Sequence, residues 1–159
     1  MKRMLIVLLI LAVGMAYAQT ATGEHIGSKK CKMCHSKAEV GSQYSIWEKG
    51  PHSGSFETLK TDAAKAIAKK MGLKVSPDQA PKCLSCHVTG WGTESGYQLE
   101  VDPLNKKAVK KNSDLSRVGC ESCHGAGSLY KSKKTKAAIA AGTITGESVG
   151  LITITEKTC

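Results

Sequence analysis

Three times the sequence sets two cysteines three positions apart, with a histidine directly after the second: Cys31-Lys32-Met33-Cys34-His35, Cys83-Leu84-Ser85-Cys86-His87 and Cys120-Glu121-Ser122-Cys123-His124. This spacing puts both sulfurs on about one helical turn. There they can form thioether bonds to the two vinyl groups of one haem, while the histidine reaches the iron from the proximal side. The competing chemistry is zinc, because paired Cys-x-x-Cys units also build zinc ribbons. A ribbon needs no histidine immediately after its second cysteine, and three such units carry more ligands than one four-coordinate site accepts. The reading is therefore three covalently attached haem c groups, on Cys31 and Cys34, Cys83 and Cys86, and Cys120 and Cys123, with His35, His87 and His124 as proximal ligands.

Counting ligands takes the reading further. The chain has five histidines, so only His25 and His52 are left for three distal positions. His52 sits in Lys49-Gly50-Pro51-His52-Ser53, after a helical pattern and far enough from every motif to serve a haem other than its nearest. His25 lies in a leader that reads as flexible. Met33 and Met71 are poor candidates by place and context, and Tyr130 and the lysines are weak substitutes. At least one iron is therefore short of a strong distal ligand, and such a position can bind a small molecule.

The chemistry requires a compartment and a scaffold. Residues 1–18 carry Lys2 and Arg3, an apolar stretch from Met4 to Val13 and the small-residue ending Ala16-Tyr17-Ala18. That is the pattern of a secretory signal cut before Gln19, and residues 19–159 form one cytochrome domain. No further apolar run is long enough to span a membrane, so an exported chain without a span is expected, in the periplasm or at the cell surface. The whole chain has 23 basic against 13 acidic side chains. Three haems would bring about six propionate charges and offset most of the excess. That argues against nucleic acid as a partner, as do export and the absence of a binding motif.

Phe56 is the only phenylalanine, and large aliphatic residues after the signal are sparse. A core of side chains alone would be thin, so the porphyrins must supply apolar volume and the apoprotein should not fold. The expected class is mainly α with extensive loops and little β, organised around stacked haems. Val40, Tyr44 and Trp47 recur at helical spacing within residues 36–49, and Gly50-Pro51 stops that helix. Asp62 to Met71 reads as a second helix starting at an N-cap Asp62 and ending before Gly72. Ser132 to Ala141 reads as a third, closed by Gly142. Residues 74–82 are a Pro-containing loop, residues 89–101 a small hairpin or extended loop, residues 102–114 a polar stretch, and the last residues extended.

KKCKMCH, WEKGPHSGSFETL, CLSCHVTGWG followed by GYQLE, and RVGCESCHGAGS, in this order, resemble the tetrahaem cytochrome c-554 family over nearly all of the chain after residue 18. The resemblance implies that His52 is the distal ligand of the haem on Cys120 and Cys123, opposite His124. It also implies that the haem on Cys83 and Cys86 is five-coordinate, open opposite His87. The family has a further histidine a few residues after its third motif, where this chain has Tyr130 and lysines. It also has a fourth attachment motif near the place of Thr158-Cys159. Cys159 is therefore read as the first cysteine of a fourth haem site in a chain that continues, the alternative being an unpaired thiol.

The function expected from these features is electron transfer between redox protein partners. Arg117 and the lysines of residues 106–111 and 131–136 are candidates for pairing propionates or docking a partner. The alternative is a small-molecule redox enzyme, for example reducing nitric oxide at a five-coordinate haem. A third is a structural role as a subunit of a haem wire.

Overall fold

A computed structural model describes residues 23–156 and 158; the signal sequence read in residues 1–18 and the terminal Cys159 lie outside these residues. The described helices are, in order, α1 (Lys29–His35), α2 (Gln43–Lys49), α3 (Ser55–Thr58), α4 (Asp62–Lys70), α5 (Pro81–His87), α6 (Lys106–Leu115), α7 (Cys120–His124) and α8 (Lys133–Ala140), with short 3-10 turns between several of them. Among the described residues there is no strand. The mainly α, loop-rich class is thus the one observed.

Each attachment motif forms a short helix of its own, α1, α5 or α7. Pro81 opens α5, where its missing N–H and fixed φ fit the first turn. Gly119 leads into α7 in extended conformation, and Gly125, at φ 76, ends it. A side chain at Gly125 would run into the carbonyl oxygen of Gly150 at 2.5 Å, so the chain leaves the third motif through a position that only glycine fits.

Local signals set the other helices with varying success. In α4 the N-cap is Thr61, whose hydroxyl accepts from the Ala64 N–H at 3.2 Å; Asp62, read as the cap, is the first helical residue. α8 begins at Ser132, which caps the Thr135 N–H at 3.0 Å, and is followed by Gly142 at φ 69. The single helix expected over residues 36–49 is broken. A 3-10 turn at Ala38–Val40 ends in Gly41 at φ 92 and Ser42 at φ 52, and only then does α2 begin. The polar stretch of residues 102–114 contains α6, capped by the Asn105 side chain on the Ala108 N–H at 3.0 Å. Residues 89–101 take the extended-loop alternative, with one cross-loop bond from the Tyr97 N–H to the Thr89 carbonyl at 3.0 Å.

The side-chain core is small. Leu59, Leu84, Val88, Tyr97 and Leu115 form its buried cluster, with Phe56, Cys83 and Trp91 packed against it. Phe56 and Trp91 flank Tyr97 at ring separations of 5.5 and 6.4 Å. Leu84, between the cysteines of the second motif, is fully enclosed, so α5 is fixed to the core through its own spacer residue.

The leader is the main correction. Residues 23–29 read as flexible, but they are fastened to the far end of the chain. The Glu121 carboxylate, buried between the cysteines of the third motif, accepts from the N–H groups of Ile26 at 2.9 Å, Gly27 at 2.7 Å and Gly127 at 2.7 Å. The Ser28 hydroxyl accepts from the Cys120 N–H at 3.1 Å, and buried Asp114 accepts from the Lys29 N–H at 2.9 Å. A buried carboxylate is tolerated when donors surround it, and here two of those donors, Ile26 and Gly27, belong to the leader.

Candidate haem sites

The first and third motifs meet. The Cys120 N–H donates to the Ser28 hydroxyl, three residues before Cys31, at 3.1 Å, although 89 positions separate the two cysteines in the sequence. The two thiols influence each other: the Cys31 thiol is raised far above its ordinary range, whereas the Cys120 thiol is lowered to about 7. Once a sulfur is bound in a thioether it no longer titrates, so these shifts belong to the chain before haem attachment.

The second motif stands apart, and its histidine is the best oriented. The Nδ1 of His87 lies 2.7 Å from the backbone carbonyl of Ser55. A carbonyl can only accept, so Nδ1 carries the proton and Nε2 keeps the lone pair that an iron needs. The Ser55 hydroxyl donates to the His87 carbonyl at 2.9 Å and accepts from the Val118 N–H at 2.8 Å. One buried serine thus ties the second motif to the approach to the third. Sequence reasoning passed over Ser55 and Glu121, because nothing in their immediate neighbourhood shows partners so distant in the chain.

Of the other histidines, His35 ends α1 half-buried, and His124 ends α7 with its side chain exposed. The His124 carbonyl accepts from the Ile152 N–H at 3.0 Å and the Tyr130 hydroxyl at 3.1 Å. Tyr130 also donates to the Gly125 carbonyl at 2.6 Å, and burial pushes its phenol well above the ordinary range. Its hydroxyl serves to close the end of α7. His52 lies exposed in a 3-10 turn, Pro51–Gly54, and its carbonyl accepts from the Val118 N–H at 3.2 Å. That bond sets His52 beside the residue two places before Cys120. His25 is held on the loop after the second motif, with Nδ1 3.0 Å from the Ser95 hydroxyl. Burial lowers its pKa from the ordinary histidine value.

Among the described residues no three His, Cys, Asp or Glu side chains gather closely enough to hold one metal ion, so the paired cysteines do not assemble the four-ligand cage of a zinc ribbon. The chain fits haem in other respects. Arg117 Nε, Asp114 Oδ1 and Ser36 Oγ are buried without a hydrogen-bond partner, and two of them adjoin motifs: Ser36 follows His35, and Arg117 is three residues before Cys120. Large apolar side chains lie bare around the same elements, with Met33 inside the first motif 81% exposed and Ile46 on α2 67% exposed. A large apolar disc with carboxylate arms would cover such groups and pair with such donors.

The family model described as cytochrome c554 and c-prime matches residues 30–125, which take in all three motifs. This chain belongs to that family. As a member of the cytochrome c554 family it is a c-type cytochrome, and its cofactor is covalently bound haem c. It is 35% identical over 131 residues to cytochrome c-554 of Nitrosomonas europaea, a match covering 81% of this chain and 49% of that protein. The chain thus spans about half the length of the curated relative it matches. No solved structure matches this cytochrome c554 family member. No described helix is long and apolar enough to cross a membrane.

Proposed function

We propose that this protein is an electron carrier that works outside the cytoplasm, passing electrons between redox protein partners through three haem c groups. The haems are carried on Cys31 and Cys34, Cys83 and Cys86, and Cys120 and Cys123, with His35, His87 and His124 as proximal ligands. His52 is the distal ligand of the haem on the third motif, and His25 is a further distal ligand. The carrying observation is the bond from the Cys120 N–H to the Ser28 hydroxyl, three residues before Cys31, at 3.1 Å, which favours two closely spaced haems on the first and third motifs. Haem iron supplies a reversible one-electron couple when bound.

The chain's own part is to fix and tune. Ser55 orients His87 and so steadies one ligand field. Glu121 binds the leader to the third motif, so that α1 and α7 keep their relative place. The lysines on α6 and α8 are exposed or half-buried and suit an acidic partner surface.

Mass spectrometry of the exported protein, combined with the ferric spin state, tests this reading. Three haem masses on one chain with rapid, reversible reduction by a second cytochrome support it. Fewer haems would overturn the count. A high-spin ferric fraction that turns over nitric oxide would replace the carrier reading with an enzymatic one.

A further inference from the structure

Arg117 is a charged side chain with no carboxylate partner among the described residues. Its guanidinium carbon stands 6.0 Å from the centroid of the Trp47 ring. That ring is itself held by its Nε1–H, which donates to the Val118 carbonyl at 2.9 Å. The Nη2 end makes one long bond, to the Ser113 carbonyl at 3.3 Å, and Nε is buried with no acceptor. Among the described residues no carboxylate lies within ion-pair distance of it. Of the acidic side chains of this region, Glu48 faces Lys32 and Glu121 accepts from the leader, while Asp114 accepts from the Lys29 N–H through Oδ2 and leaves Oδ1 without a partner, outside ion-pair distance of Arg117.

An arginine cannot discard its charge by losing a proton. A guanidinium lying beside an indole and half removed from water needs an anion, and its planar fork suits a carboxylate. We propose that Arg117 holds a propionate of the haem on Cys120 and Cys123, and that this pairing raises the reduction potential of that haem. The inference rests on the haem reading above. Arg117 is three residues before Cys120, and Trp47, beside the guanidinium, is bonded to the carbonyl of Val118 between them. Trp47 is the positioning residue: its ring, anchored through Nε1, flanks the guanidinium. An unneutralised propionate favours the ferric state, and a paired one no longer does so.

The test is potentiometry on the holo-protein, with each haem followed spectroscopically. In R117Q the ferrous-to-ferric ratio of one haem, at a fixed ambient potential, should fall about tenfold, equivalent to about 59 mV for a one-electron couple. R117K keeps the charge but not the fork and should recover part of that ratio. The charge-matched control K70Q, on exposed α4, should leave it unchanged. If R117Q yields no holo-protein, R117K carries the test alone and must give a fall smaller than tenfold together with a shifted propionate bending mode in resonance Raman spectra. Equal potentials in wild type and R117Q, or the same fall in K70Q, would overturn the proposal while leaving the haem count intact. Absence of covalent haem from the wild-type protein would instead defeat the underlying reading.

Discussion

His87 and Ser55 are bonded to each other in both directions. The imidazole Nδ1–H donates to the Ser55 carbonyl at 2.7 Å, and the Ser55 hydroxyl donates to the His87 carbonyl at 2.9 Å. Thirty-two residues separate them in the chain. The pair fixes the tautomer of His87 through the backbone, so no second titrating side chain is needed to hold it.

Ser55→Ala removes the hydroxyl but keeps the carbonyl. The His87 carbonyl loses a donor, while the Val118 N–H keeps its weaker bond to the His52 carbonyl at 3.2 Å. The expected loss is about 1–2 kcal/mol of stability, read from denaturant unfolding of the holo-protein. The second-motif haem should remain attached.

Glu121→Gln replaces an acceptor of three buried N–H groups by a side chain that also carries donors. Stability should fall by about 2–4 kcal/mol. Hydrogen exchange localises the effect: the amides of Ile26, Gly27 and Gly127 should exchange much faster, while those of α4 should not. Uniform acceleration across the chain would mean that Glu121 supports the fold globally rather than fastening the leader.

Gly90→Ala would place a methyl group 2.7 Å from His25 Cε1 and 2.8 Å from Nε2, at a backbone φ of 71. The expected cost is about 1–3 kcal/mol, with displacement of His25. With His25 as an iron ligand, the ferric spectrum should gain a high-spin component both in this variant and in His25→Ala.

His52→Ala should convert one low-spin ferric haem to high spin without changing the mass of the protein's haem complement. An unchanged electron paramagnetic resonance spectrum would remove His52 from the ligand set.

Replacing the six motif cysteines by serine, with export retained, should give a chain without a cooperative melt. The buried cluster of Leu59, Leu84, Val88, Tyr97 and Leu115 is small for the length of chain it must order. A sharp calorimetric transition in the haem-free variant would show that the side chains suffice.

The attachment helices and α4 were legible in the sequence because their signals are local: a fixed cysteine spacing, a run of helix formers, a closing glycine. α6 was not, because KKAVKKNSDL shows no apolar stripe and buries only Asp114 and Leu115, at its last turn. The break after Val40 was equally hidden. The apolar residues keep helical spacing across it, and Gly41 and Ser42 reverse the backbone all the same. The leader misled for a different reason. Its polar composition describes its side chains, whereas what holds it are its backbone N–H groups, and their acceptors arrive about ninety-five residues later. The family resemblance was carried by the motif neighbourhoods, and the match over residues 30–125 rests on the same stretch.

That last separation also sets an order of events. While the chain is being made, the N–H groups of Ile26 and Gly27 cannot reach Glu121 until it has followed them. Throughout that interval Cys31 and Cys34 remain on an open segment. Closure then comes late and over a long loop, the slowest kind of contact for a small chain to find. The clamp that fastens the leader is therefore also a contact the first motif must wait for, closed only once the third motif has been made.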